Sequence, residues 1–201
     1  ACGELADGWL AAHLALAHAL APGDAHTRAL ERLAQGLRYD DHPDTQGLIQ
    51  LALGTRAWHL GFDPRKALKA ALVAARRHPN PWVYHRSLLV LGLYHSERNP
   101  TRARHLAQYL MNHTGKTGFV ALHELARLLR VQLELEQGRE VLHLLQFQPS
   151  NAFSHGWRAA LLRRLGENVP ASPLHAVEGY GILGEWLKHF WDSGIAASSS
   201  S

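Results

Sequence analysis

The chain of 201 residues is 46% hydrophobic and 19% charged, with a formal net charge of +4 and a single cysteine, Cys2. One cysteine excludes an internal disulfide, and no apolar run approaches the roughly 18 residues of a membrane-spanning helix. The length bounds the protein to one domain or a short repeat array, and a cytoplasmic home is the simplest expectation, with a lipoprotein attached through Cys2 as the alternative.

Glu4 to Ala21 is rich in Ala and Leu, both strong helix formers, and Pro22-Gly23-Asp24 ends that helix and opens the next. Ala25 to Tyr39 places Leu30, Leu33, Ala34 and Leu37 on one stripe at helical period. A polar turn from Tyr39 to Asp44 follows. Helices are then expected over Gly47 to Leu60, Pro64 to His78, Trp82 to Ser96 and Pro100 to His113. Phe119 to Glu136 carries Leu122, Leu125, Ala126, Leu129 and Leu133 on one face and His123, Arg127, Arg130 and Glu134 on the other. A shorter helix is expected from Glu140 to Phe147, another from Ser150 or Asn151 to Leu165. A last helix opens at Pro173, carries Trp186, Phe190 and Trp191 and fades near Asp192, its first half weakened by Gly179, Gly181 and Gly184. No alternating apolar–polar run is convincing, so the fold class is all-α.

The chain nearly repeats itself. Asp63-Pro64-Arg65-Lys66-Ala67-Leu68 is echoed by Asn99-Pro100-Thr101-Arg102-Ala103-Arg104, thirty-six residues on, and the pairs Trp58/Tyr94 and Ala71/Ala107 share that separation. Self-similarity at such a period marks stacked helical hairpins. Ala67, Ala74 and Pro79, with Leu53-Gly54 and Leu91-Gly92 in the helices before, resemble the tetratricopeptide repeat. There small residues let paired helices approach to about 8–10 Å. Ala71 stands where the family has a bulky residue, and the second copy has Leu110 and Gly115 in place of Ala and Pro. The resemblance implies stacked antiparallel hairpins in a right-handed superhelix of degenerate repeats. The expected hairpins are 4–39, 45–79, 82–114, 118–148 and 151–192, forming one domain, with a disordered tail over 195–201. The aromatic C-terminal segment either caps this array or enters a neighbouring chain's groove.

Charge is concentrated in the middle. Arg56 to Lys116 holds eleven basic residues and two acids, between flanks that are net acidic. Such a distribution points to an acidic partner or to packing between copies of the chain. Fifteen histidines make any electrostatic binding steeply pH-dependent.

No reaction is legible. His123-Glu124 is not followed by a His-completing zinc motif, and phosphate-loop and nucleophile-elbow patterns are missing from the sequence. Asp40, Asp41, His42 and Asp44 read as a capping turn before a metal site. No catalytic residue, cofactor or metal is therefore expected. The arginine-rich middle, with Trp82 and Tyr84 interleaved, has elements of a single-strand nucleic-acid surface.

The leading expectation is a non-enzymatic scaffold, an adaptor or the interaction and sensor part of a regulator. It would bind another protein or peptide through an acidic segment. The first helices of the hairpins would line its groove, presenting Arg56, His59, His85, Arg86, His123, Arg127 and Arg130. Arginine suits a carboxylate guest through paired hydrogen bonds. A nucleic-acid-associated factor using the basic centre is the alternative.

Overall fold

A computed structural model describes residues 2–38 and 42–198, with side chains described for 8–38, 42–171, 173–177 and 179–193. Among the described residues the chain is helical and contains no strand. It divides into two compact units, Ala1–Tyr94 and His95–Ser201. The boundary falls inside the first helix of the expected 82–114 hairpin.

The first unit holds α1 (Cys2–Leu20), α2 (Asp24–Gly36), α3 (Pro43–His59), α4 (Arg65–Arg77) and the greater part of α5 (Pro81–Arg98). α1 packs on both α2 and α3, and α3 packs on α4. The buried face of α1 is Ala12, Ala15 and Ala19, so its neighbours approach closely; Leu30, Leu48, Leu51 and Leu68 fill the space between. The α3–α4 crossing is equally tight. A Cβ on Gly54 would stand 2.5 Å from Leu68 Cδ2, and one on Gly47 would meet Val83 and Ala74. The small residues at this crossing are therefore Gly54, opposite Leu68, and Gly47, opposite Ala74, while Ala67 is only half-buried. α3 begins four residues before its expected start because Pro43 suits the first helical turn, where its missing N–H leaves no bond unmade.

The second unit holds α6 (Pro100–Thr114), α7 (Val120–Leu135), α8 (Ala152–Arg164), a single turn α9 (Ser172–His175) and α10 (Ile182–Ser198). α6 packs on α7, α7 on α8, and α8 on α10. Asn99 caps α6 by accepting from Arg102 N at 3.0 Å, and Asn151 caps α8 by accepting from Ser154 N at 2.9 Å. The aromatic C-terminal helix closes the core of this unit: Phe190 and Trp191 are buried, and Trp157 of α8 meets Trp186 edge-on at 5.0 Å. The expected helix 140–147 is only a short 3-10 turn, Leu142–Leu145. An α-helix there would pair the Leu145 carbonyl with residue 149, but Pro149 has no N–H. The carbonyl instead accepts from Arg158 Nε at 2.7 Å, and that of Leu144 accepts from Arg127 Nε at 2.7 Å. α10 runs on to Ser198, past the expected end near Asp192 and into the first part of the expected 195–201 tail. Residues 199–201 lie outside the described residues.

Candidate functional site

Of the seven residues expected to line a groove, Arg56, His59, His85 and Arg86 lie in the first unit and His123, Arg127 and Arg130 in the second. Arg56 is 3% exposed, and its guanidinium is engaged on every side. It donates to the carbonyls of Ala21 and Gly23, each at 2.8 Å, and to Thr27 Oγ1 at 2.8 Å from Nε and 2.5 Å from Nη2. It fastens the end of α1 and the α1–α2 turn to α3, so it belongs to the interior of the first unit and offers nothing to a guest. His59 is half-buried and His85 buried, the latter edge-on to Tyr84 at 5.7 Å. Arg86 lies over the Trp82 ring at 5.0 Å, and burial pushes its guanidinium pKa down.

In the second unit, His123 Nδ1 lies 3.1 Å from the Met111 carbonyl, tying α7 to α6. Arg127 is engaged by Leu144, as above, and lies over Phe147 at 4.6 Å. Arg130 pairs with Glu134 at 2.5 Å, one turn along α7, and donates to Gln108 at 3.3 Å. Glu134 is itself 7% exposed and also pairs with Arg104 at 3.1 Å and Arg139 at 2.6 Å. The Arg104 contact is an ion pair without hydrogen-bond alignment. Burial pushes the Glu134 carboxyl up, but the arginines outweigh it and hold it below the ordinary glutamate value. The three cations are thus organised around an internal carboxylate.

A cluster of cations with fewer such engagements lies on α4. Its solvent face carries Arg65, Lys66, Lys69, Arg76 and Arg77 and no acid. Arg65 pairs with Asp63 at 2.7 Å and, with its own N–H, holds that carboxyl down at about 2. Arg76 donates to the Tyr84 hydroxyl at 3.1 Å and lies over that ring at 5.4 Å. Lys66, Lys69 and Arg77 have no carboxylate partner among the described residues. Lys69 and Arg77 border a groove of about 420 Å³ between α3 and α4, lined also by Ala70 and Val73 of α4 and Gln46 and Gln50 of α3. Val73, midway between the two cations, is 49% exposed.

Asp44, beside Pro43 on the groove's rim, is turned to other work. It accepts from Asn80 at 2.9 Å and pairs with His78 at 3.0 Å. Burial pushes its carboxyl up, and the hydrogen bonds from Asn80 and His78 bring it below the ordinary value. The turn expected to cap α3 places His42 at its N-cap position without a side-chain hydrogen bond to the helix; Asp40 and Asp41 lie outside the described residues, as does the side chain of Cys2. Among the described residues no group of three metal-ligating side chains is found, and no helix is long and apolar enough to cross a membrane.

The second unit has a larger, more polar cleft of about 770 Å³ along the chain from Gln146 to Ala152, with His155 and Arg158 of α8 on its wall. Arg158 is bonded to Leu145 there. The buried Glu124 accepts from Ser150 N at 2.8 Å, which ties this segment down from below.

The α4 face was within reach of sequence reasoning. Glu134 stands four residues after Arg130, a spacing that pairs charges on one helix, whereas no cation of α4 has an acid three or four residues away within its helix. No family model matches the chain, and neither a curated protein nor a solved structure is significantly similar to it.

Proposed function

We propose that the protein is a non-enzymatic helical-repeat interaction module, of tetratricopeptide-like kind, that binds an acidic segment of another protein on the α3–α4 groove of its first unit. It acts as an adaptor or as the interaction part of a larger regulator. The observation that carries this reading is the solvent face of α4: five cations with no acid among them, three lacking a carboxylate partner, beside a groove with apolar side chains exposed. A face of that kind has electrostatic attraction to offer and little internal cost in offering it. The close glycine–leucine approach of α3 and α4 supports the repeat-like hairpin.

A nucleic-acid surface is the second reading, favoured by the same cations. It is the weaker because the aromatic platforms are already covered: Arg86 lies over Trp82 and Arg76 over Tyr84. A base would have to displace an arginine before it could stack.

Titration of the protein with a labelled acidic peptide, and with single-stranded and duplex oligonucleotides, at two salt concentrations separates the two readings. Peptide binding that is lost in the Lys69→Glu/Arg77→Glu variant supports the first. Oligonucleotide binding that is tighter than peptide binding at both salts, and falls steeply with salt, would overturn it.

A further inference from the structure

The spacing of side chains along the groove defines the shape of its guest. Lys69, Val73 and Arg77 follow one another at intervals of four residues, so they stand on a single ridge of α4 inclined by about 26° to its axis. With a rise of about 1.5 Å per residue, the eight residues from Lys69 to Arg77 advance about 12 Å along the axis and about 13 Å along the ridge. An extended peptide advances about 3.3 Å per residue and points alternate side chains to one side, so residues i, i+2 and i+4 span about 13 Å on one face. The two repeats coincide. A helical guest would need about nine residues to cover the same ridge, in a groove of about 420 Å³. The opposite wall supplies Gln50, and Gln46, whose amide donates to the Leu37 carbonyl at 2.9 Å, stands one turn before it. Side-chain amides both donate and accept, which suits the unpaired backbone of an extended chain.

We propose that the groove is built for an extended acidic segment of the pattern acid–x–apolar–x–acid. The two carboxylates pair with Lys69 and Arg77, the central apolar side chain lies on Val73 and Ala70, and Gln50 meets the peptide backbone. This rests on the acidic-partner reading above and narrows it to one conformation and one spacing. The charges are complementary, since the groove lining contains no acid and Asp44 on its rim is held by His78 and Asn80.

The test uses two labelled peptides of identical composition on the full chain, followed by fluorescence anisotropy. One contains Glu-Ser-Leu-Ser-Glu; the other contains Glu-Leu-Ser-Glu-Ser, which moves the acids to a separation of three and turns the leucine away. The first is expected to bind on the order of tenfold more tightly, the combined effect of two exposed ion pairs and one apolar contact. Lys69→Glu/Arg77→Glu should abolish that preference, and a Lys-Ser-Leu-Ser-Lys peptide should restore binding to the reversed variant. Equal affinity for the two isomers, both weakened by charge reversal, would overturn the spacing while leaving an acidic partner in place. Failure of both isomers to bind would overturn the acidic-partner reading as well. Circular dichroism of the variant confirms that the unit is still folded.

Discussion

The two units use arginine in opposite ways. In the second, Arg104, Arg130 and Arg139 converge on Glu134, Arg158 completes the Leu145 carbonyl that Pro149 cannot serve, and Arg127 bonds the Leu144 carbonyl. In the first, Arg56 is likewise internal, yet Lys66, Lys69 and Arg77 on α4 meet no carboxylate among the described residues. The comparison teaches that a cation's availability is decided by its neighbours in space. A basic residue whose donors already face carbonyls and carboxylates would have to break those bonds to hold a guest. One that faces water has only to exchange it.

The largest expected effect would break the carboxylate hub. Glu134→Gln keeps the shape of the side chain but removes the charge shared by three arginines. It should destabilise the second unit by roughly 2–4 kcal/mol, below the figure for a fully buried pair because Arg139 is 59% exposed. Since the folded-state pKa of Glu134 is depressed, its contribution is complete above the ordinary glutamate value of 4.5 and is lost as pH falls through the lower folded value. Urea unfolding of the wild type and the variant should therefore differ most near neutrality and converge in acid. A gap independent of pH would show that the charge is not the cause.

Arg56→Ala is the counterpart in the first unit. It leaves the Ala21 and Gly23 carbonyls without their donor, at about 2–3 kcal/mol by thermal or urea unfolding. If its cost matched that of truncating exposed Arg77, the distinction between internal and available arginines would fall.

Next are two glycines. A Cβ on Gly184 would collide with the Val177 carbonyl, whereas one on Gly36 meets nothing within 4 Å. Gly184→Ala should cost roughly 1–3 kcal/mol, and Gly36→Ala should be neutral or stabilise by up to about 1 kcal/mol. Melting temperatures moving in the same direction by similar amounts would contradict the packing described.

The smallest effect on stability is expected where the effect on binding is largest. Lys69→Glu/Arg77→Glu should change folding stability by no more than about 0.5 kcal/mol, since both residues are exposed and unpaired. A substantial loss of stability would mean that these cations support the fold and are not held ready for a partner.

Most helices were legible because their signals are local. Pro22-Gly23, Asn99-Pro100 and Asn151 mark breaks and caps by their own backbone chemistry, and the apolar stripes of α2 and α7 repeat at helical period. The 140–147 segment was not legible as a 3-10 turn, because its carbonyls at Leu144 and Leu145 are taken by arginines from α7 and α8, distant in sequence. The contacts of the expected groove residues were not legible for a related reason. Spacing placed Arg127 and Arg130 on the polar face of α7, but it does not report that Leu144 and Glu134 take them up.

By itself, then, the sequence determined that the chain is helical, where most helices begin and end, and that positive charge gathers in its middle. Those properties depend on neighbours within a few residues and on the 3.6-residue period. Only the tertiary structure decided which cations are internal and which remain at the surface. A guanidinium at a fixed place in the sequence meets a carbonyl, a carboxylate or water according to which distant segment the folded chain lays against it.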